Sequence, residues 1–200
     1  MLTHGCVTPV KPSRVVVLGA TGAVGTVLVH QLETLEIETL PLGSRGIDLC
    51  QPDAAAHLAR LIRPDDVLVI LSAITPDKGR DAGTLMRNLR MGESLGRFLA
   101  GRPCAHVLYV SSDAVYRERD QLIHEGSPCD PASFHGLMHL VRERVLSQAA
   151  QGAQVPLLIL RPCALFGPGD THGGYGPNQF VRTALHEGRI ALFGDGEEQR

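Results

Sequence analysis

The 200-residue sequence contains no run of basic residues, and its formal net charge is only −2. It therefore lacks the cationic footprint that nucleic acid or an anionic membrane surface would require. Long apolar runs are missing as well. Stretches such as Val67–Ala73 fall far short of the roughly 20 apolar residues that a spanning helix needs. Met1 to Pro12 has neither the charged nor the apolar region of a signal peptide, so residues 1–13 are expected to be a flexible tail. Cysteine never appears as Cys-x-x-Cys. Cys6, Cys50, Cys104, Cys129 and Cys163 are scattered and odd in number, which favours reduced thiols in a cytoplasm over disulfides or a zinc knuckle. Internal repeats and low-complexity segments are also absent.

What is present is enough for a core. A hydrophobic content of 44 % suits one domain with a small appendage. The most informative stretch is Arg14-Val-Val-Val-Leu-Gly-Ala-Thr-Gly-Ala-Val-Gly-Thr-Val-Leu-Val-His-Gln-Leu32. Val15 to Leu18 read as a strand buried on both faces, and Val24, Leu28 and Leu32 recur with helical period. Between them stand Gly19, Gly22 and Gly25. The first permits a tight turn off the strand, the second a close backbone approach to a pyrophosphate, and the third close packing of the new helix. Free N–H groups at the helix start attract the anion. A purely structural strand–helix turn is the alternative; the flanking strand and helix favour a dinucleotide site.

Further strands are expected near Ile37–Leu42, Val67–Leu71, His106–Val110 and Leu157–Leu160, with helices near Ala23–Leu35, Asp53–Ile62, Arg80–Ala100 and His135–Gln151. Strands alternating with helices imply right-handed crossovers and a parallel sheet covered on both faces. The segment Thr39-Leu-Pro-Leu-Gly43 is expected to end the second strand, since proline cannot donate in a central ladder. From Phe166 onward the glycine- and proline-rich texture predicts a departure from the sheet.

Four later motifs join the glycine loop: Val110-Ser-Ser-Asp-Ala-Val-Tyr116, His135-Gly-Leu-Met-His-Leu-Val-Arg-Glu143, Arg161-Pro-Cys-Ala-Leu-Phe-Gly-Pro168 and Phe193-Gly-Asp-Gly-Glu-Glu-Gln-Arg200. In their order and spacing the chain resembles the extended short-chain dehydrogenase/reductase family, in its NAD-dependent epimerase/dehydratase branch acting on nucleotide sugars. The resemblance runs from Arg14 to Arg200. It implies an α/β fold, a Rossmann-like doubly wound parallel sheet over residues 14–166. Residues 167–200 would begin a truncated substrate cap. It implies a homodimer, through a four-helix contact of Arg80–Ala100 and His135–Gln151, with a nucleotide sugar as the small-molecule partner.

The same resemblance assigns roles. Gly19, Thr21, Gly22, Ala23, Val24 and Gly25 would hold the pyrophosphate. Asp48 and Leu49 would contact the adenine, and Leu71, Ser72 and Ala73 would lie beside the adenosine ribose. Ser111 would sit near the nicotinamide, with Pro162 also against the cofactor. Without the resemblance, Asp48 reads as a solvated loop aspartate and Leu71–Ala73 as an ordinary strand end. Cofactor choice is argued from charge. An NAD site usually carries an acid after the second strand, whereas here Ser44 and Arg45 suit a 2′-phosphate. NADP is preferred and NAD possible, a solvated surface Arg45 being the alternative.

Ser112 aligns with the residue that hydrogen-bonds the reacting hydroxyl. Asp113 stands where dehydratases carry their acid, but Ala114 replaces the following glutamate, which argues against a standard dehydratase. Capping of the loop is the preferred reading of Asp113. The family's Tyr-x-x-x-Lys aligns with His135 and His139, and Gly136, Leu140 and Glu143 hold the register. Residues i and i+4 share a helix face, so both histidines should point at the nicotinamide. His135 would be the base without activation, since histidine titrates near ~6.5. His139 would hold the nicotinamide ribose, mostly uncharged. Half a metal site is the rival for such a pair, but no glutamate follows His135, and no metal is expected. Asn178 and Phe180 resemble the helix flanking the substrate's nucleotide, with capping and core packing as their ordinary alternatives. Arg200 matches the arginine that reaches the substrate diphosphate. Members of the family continue for roughly another hundred residues beyond it, so the chain is expected to be a fragment or to lack most of its cap. The expected activity is hydride exchange at C4 of a nucleotide sugar. The alternatives are a catalytically impaired NAD(P)-binding protein, serving as sensor or assembly subunit, and a gene fragment.

Overall fold

The apolar runs assemble into one five-stranded sheet in a computed structural model that describes residues 10–101, 104–117, 122–167 and 176–190. In chain order the elements are β1 (Arg14–Leu18), α1 (Ala23–Thr34), β2 (Glu38–Leu42), α2 (Ala54–Leu61), β3 (Val67–Ile70), α3 (Ala82–Gly101), β4 (His106–Val110), α4 (Phe134–Ala153), β5 (Leu157–Leu160) and α5 (Gly176–Glu187). A single 3₁₀ turn, Asp113–Val115, follows β4. The spatial order is β2-β1-β3-β4-β5, and every neighbouring pair is parallel. The order reverses between β1 and β3, and such a switch point opens a crevice at the carboxyl ends of the strands. The fold is the expected α/β Rossmann-like sheet.

Alternation along β1 divides the core. Val16 and Leu18 join Leu68, Ile70, Leu58, Leu95, Phe98 and Leu146 on the face covered by α2, α3 and α4. Val15, Val17 and Val69 meet Leu28, Val29 and Leu32 of α1 on the other face. Each such side chain contributes roughly 1.5–3 kcal/mol by leaving water. At the amino end of the sheet, Arg14 Nε and Nη2 donate to Asp66 Oδ1 and Oδ2 at 2.8 and 2.6 Å.

β2 ends at Leu42, within the Thr39–Gly43 segment expected to close it, and Pro41 pairs with Val17. The proline is tolerated there because β2 is an edge strand, where a missing N–H need not interrupt a ladder. One expectation is corrected. The third helix begins at Ala82 rather than Arg80, because Asp81 Oδ1 accepts from Thr84 N at 2.7 Å and stops the helix as an N-cap does. The segment read as a cap lies largely outside the described residues, apart from α5.

Candidate functional site

Beyond β1 the chain must turn within the space left by its neighbours. Gly19 has φ +91°, and a Cβ there would lie 2.8 Å from Ser72 N. Its N–H donates to Leu42 O at 2.8 Å. Only glycine meets both demands. A Cβ on Gly25 would overlap Gly19 O and come within 2.8 Å of Ala20 Cα, whereas one on Gly22 would touch only Gly19 O, at 3.4 Å. The space outside Gly22 is thus open. Gly22 is the N-cap of α1, without a side-chain cap or an acidic residue in the first turn. The orphan N–H groups and positive end of the helix dipole there form an anion site. This loop fits a dinucleotide pyrophosphate.

One long cleft runs from the loop across the carboxyl ends of the strands. Gly19, Thr21, Gly22, Ala23, Val24 and Gly25 line its first part, with Ser44, Asp48 and Leu49 to one side. Leu71, Ser72 and Ala73 form the floor, and Ser111, Ser112, Asp113, His135, His139 and Pro162 the far end. The Asp48 carboxylate is already engaged, accepting from Gln51 Nε2 at 2.8 Å and Cys50 N at 2.9 Å. These bonds hold it below the usual aspartate range.

At the far end, Gly136 sets the geometry. A Cβ on it would overlap Ala114 O and stand 2.8 Å from Pro131 Cβ, so α4 approaches the Asp113–Val115 turn at backbone distance. Ser133 caps the helix by accepting from Gly136 N at 3.1 Å. His135 and His139 then stack edge-to-face, ring centroids 4.7 Å apart. His139 is only 4 % exposed, and its Nδ1 lies 2.7 Å from Tyr109 Oη. Burial, the neighbouring His135 and the charge of Arg142 hold the His139 imidazole well below the usual histidine range. It is neutral at pH 7. Burial pushes the Tyr109 phenol up to about 12.

Ser112 Oγ accepts from Ala114 N and donates to Asp113 Oδ1, both at 3.1 Å. Capping of this turn therefore falls to Ser112 rather than Asp113, because the shorter side chain at the N-cap reaches the N–H two residues on. Ser111 Oγ donates to Glu143 Oε1 at 2.6 Å. Glu143 also receives Arg161 Nε and Nη2 at 2.9 and 2.6 Å, and Arg161 Nη1 donates to Tyr116 Oη at 2.6 Å. This network ties β5, α4 and the turn after β4 together behind the cleft. Hydrogen bonding to Glu143 drives the Arg161 guanidinium above its ordinary value.

A family model described as the NAD dependent epimerase/dehydratase family matches residues 15–200. The chain belongs to this family. A curated relative, an uncharacterised UDP-glucose epimerase, YtcB, of Bacillus subtilis strain 168, is 25 % identical over 93 residues. That match covers 46 % of this chain and 29 % of the relative, so the chain spans less than a third of that protein. Among solved structures, the DesIV double mutant, a dTDP-glucose 4,6-dehydratase from Streptomyces venezuelae with NAD bound, gives a TM-score of 0.75 at 23 % identity, covering 92 % of this chain and 65 % of that one. UDP-glucuronic acid 4-epimerase from Bacillus cereus, in complex with NAD, gives 0.72 at 19 % identity, covering 92 % and 67 %. These likenesses establish the family fold.

Within that family fold, three expected site residues do not line the cleft. Arg45 is exposed, and only its neighbour Ser44 lines the cleft. Asn178 donates from Nδ2 to Gly167 O at 3.0 Å, and Phe180 is half-buried on α5 without reaching the cleft. Arg200 lies outside the described residues. Conversely, sequence reasoning passed over Tyr109, which meets His139, and Arg142, which stands against the Tyr109 ring. The signal for Arg142 was available: positions 135, 139 and 142 share one helix face.

Proposed function

We propose that the chain is the dinucleotide-binding core of an oxidoreductase that exchanges hydride at C4 of a nucleotide sugar. The observation that carries this reading is convergence. The open glycine loop, Ser112 and the His135–His139 pair occupy one cleft at the carboxyl ends of β1, β3 and β4. When bound there, the nicotinamide supplies a reversible hydride acceptor. Ser112 orients the sugar hydroxyl. His135, half-buried at the cleft wall, takes the hydroxyl proton as the carbon is oxidised and returns it on reduction. His139 holds the nicotinamide ribose by hydrogen bonding, and Asp113 faces the substrate. Asn178, Phe180 and Arg200 are assigned to the substrate's nucleotide and diphosphate.

NADP is the proposed cofactor, since the turn after β2 carries Ser44 and Arg45 and no acid. The family relatives with bound NAD make NAD the comparison to run. The exposed apolar side chains of Met86 on α3, and of Phe134 and Leu137 on α4, support a homodimer through these two helices. Among the described residues no helix is long and apolar enough to cross a membrane. The unpaired thiols of Cys50, Cys104, Cys129 and Cys163 suit the reducing cytoplasm.

One observation favours a second reading, a dinucleotide-binding protein without turnover: His139 is neutral and buried, so it brings no cation to the nicotinamide. Turnover of purified protein with NADP and a panel of nucleotide sugars decides between them. The oxidoreductase reading predicts activity that rises through the histidine range near ~6.5 and disappears in His135→Phe. No turnover in the natural protein, with turnover created by His135→Tyr plus His139→Lys, would establish the second.

A further inference from the structure

Arg142 is fully buried on α4, one turn beyond His139. Its Nη1 donates to Ser72 O at 2.8 Å, and its guanidinium carbon stands 5.2 Å from the centroid of the Tyr109 ring. Among the described residues its Nε and Nη2 have no hydrogen-bond partner, and the Oγ of Ser72 has none either. Gly92 on α3 leaves room for it, since a Cβ there would come within 2.7 Å of Arg142 Cγ. Arginine stays charged in proteins. A permanent cation buried without a carboxylate is costly, so its position calls for a role.

That role follows from what it touches. Tyr109 is the link between Arg142 and His139: the cation lies against its ring and the phenol oxygen reaches His139 Nδ1. A positive charge beside a phenol makes its O–H a stronger donor and opposes an imidazolium nearby. Three other titratable groups on α4 and on the turn packed against it already have partners. His135 on α4 stacks on His139. Glu143 on the same helix is bonded to Ser111 and Arg161. Asp113 in the turn packed on α4 accepts from Ser112.

We propose that Arg142 is a positioning residue that sets the polarity of the Tyr109–His139 hydrogen bond, so that the phenol donates to Nδ1 and His139 keeps Nε2–H as its free donor. At the same time its bond to Ser72 O ties the cleft floor to the helix that carries both histidines. The inference deepens the reading of that pair as the proton-handling and ribose-holding groups, and it assigns His139 the part of a fixed neutral donor.

The test is imidazole nitrogen NMR on the full chain without cofactor, which is independent of turnover and so of the function proposed above. His139 of the natural protein should show the Nε2–H tautomer and remain neutral from pH 7 to pH 5. Arg142→Met should raise the ratio of imidazolium to imidazole at His139 by about tenfold at pH 6, one pH unit in its midpoint, whereas Arg142→Lys, which retains a cation, should not. Should Arg142→Met fail to fold, the tautomer of the natural protein decides. An Nδ1–H tautomer or an imidazolium at pH 6 overturns the proposal, as would identical behaviour of the Met and Lys variants.

Discussion

A neutral imidazole at position 139 can donate one hydrogen bond and accept another, but it supplies no charge. Its closest partner, the Tyr109 hydroxyl at 2.7 Å, leaves one nitrogen for the cleft. His135 is less buried and lines the cleft. The two histidines thus differ in burial. Beside the opposite end of the cleft, Arg45 is exposed, next to Ser44, which lines it. Arg45→Ala should weaken NADP by about ten- to a hundred-fold, the worth of a charged hydrogen bond at roughly 1.5–3 kcal/mol. NAD affinity should stay nearly unchanged. Calorimetric titration with both cofactors checks this, and an equal effect on the two would mean that Arg45 is only a surface charge.

Among the elements, α4 matters most, because its first turn presses on the turn after β4. Gly136→Ala would set a Cβ against Ala114 O and push the helix start away. Overpacking of this kind costs about 1–3 kcal/mol, measurable as a lower urea midpoint. Displacing His135 by roughly 1 Å should cost turnover on the order of 100-fold. An unchanged midpoint would show that the contact is slack. The elements were largely legible from periodicity, since β1 and β3 are continuous apolar runs and the helices carry their buried faces at regular spacing. Strand order is another matter. Nothing local marks β2 as an edge, so the reason Pro41 can pair within the strand became visible only in the sheet. The cleft residues from Gly19 to His139 were legible through motifs. Arg142 left a trace in its helix face, but Tyr109 left none, because its partner lies 30 residues away in sequence.

On the scale of the whole molecule, two buried groups give the stability a pH dependence. Burial raises the Asp66 carboxyl, but its hydrogen bonds from Arg14 and from Arg63 N outweigh this and hold it below its ordinary value. Its contribution is complete above the unfolded value near ~3.9 and is lost as pH falls through the folded one. His139 lies well below the usual histidine range in the folded state. Its contribution is complete above ~6.5 and declines as the pH drops below that, because the unfolded chain binds the proton first. Unfolding free energy should therefore fall in two limbs, one beginning below pH ~6.5 and another below pH ~3.9. His139→Gln should flatten the first limb. Asp66→Asn should cost about 3–5 kcal/mol at neutral pH by leaving Arg14 buried without its partner. Denaturant titrations between pH 3 and pH 8 test both, and a constant stability from pH 7 to pH 5 would contradict the assignment of His139.

The dinucleotide site at the switch point of the sheet is tested most directly by calorimetric titration of NADP and NAD into the natural protein and into Gly22→Val. The open space outside Gly22 would accept the valine side chain without disturbing the core, while blocking the backbone's approach to the pyrophosphate. The natural protein should bind at least one of the two cofactors, and Gly22→Val should bind neither while unfolding at nearly the same denaturant concentration. Undiminished binding by Gly22→Val, or no binding by the natural protein, would contradict the account.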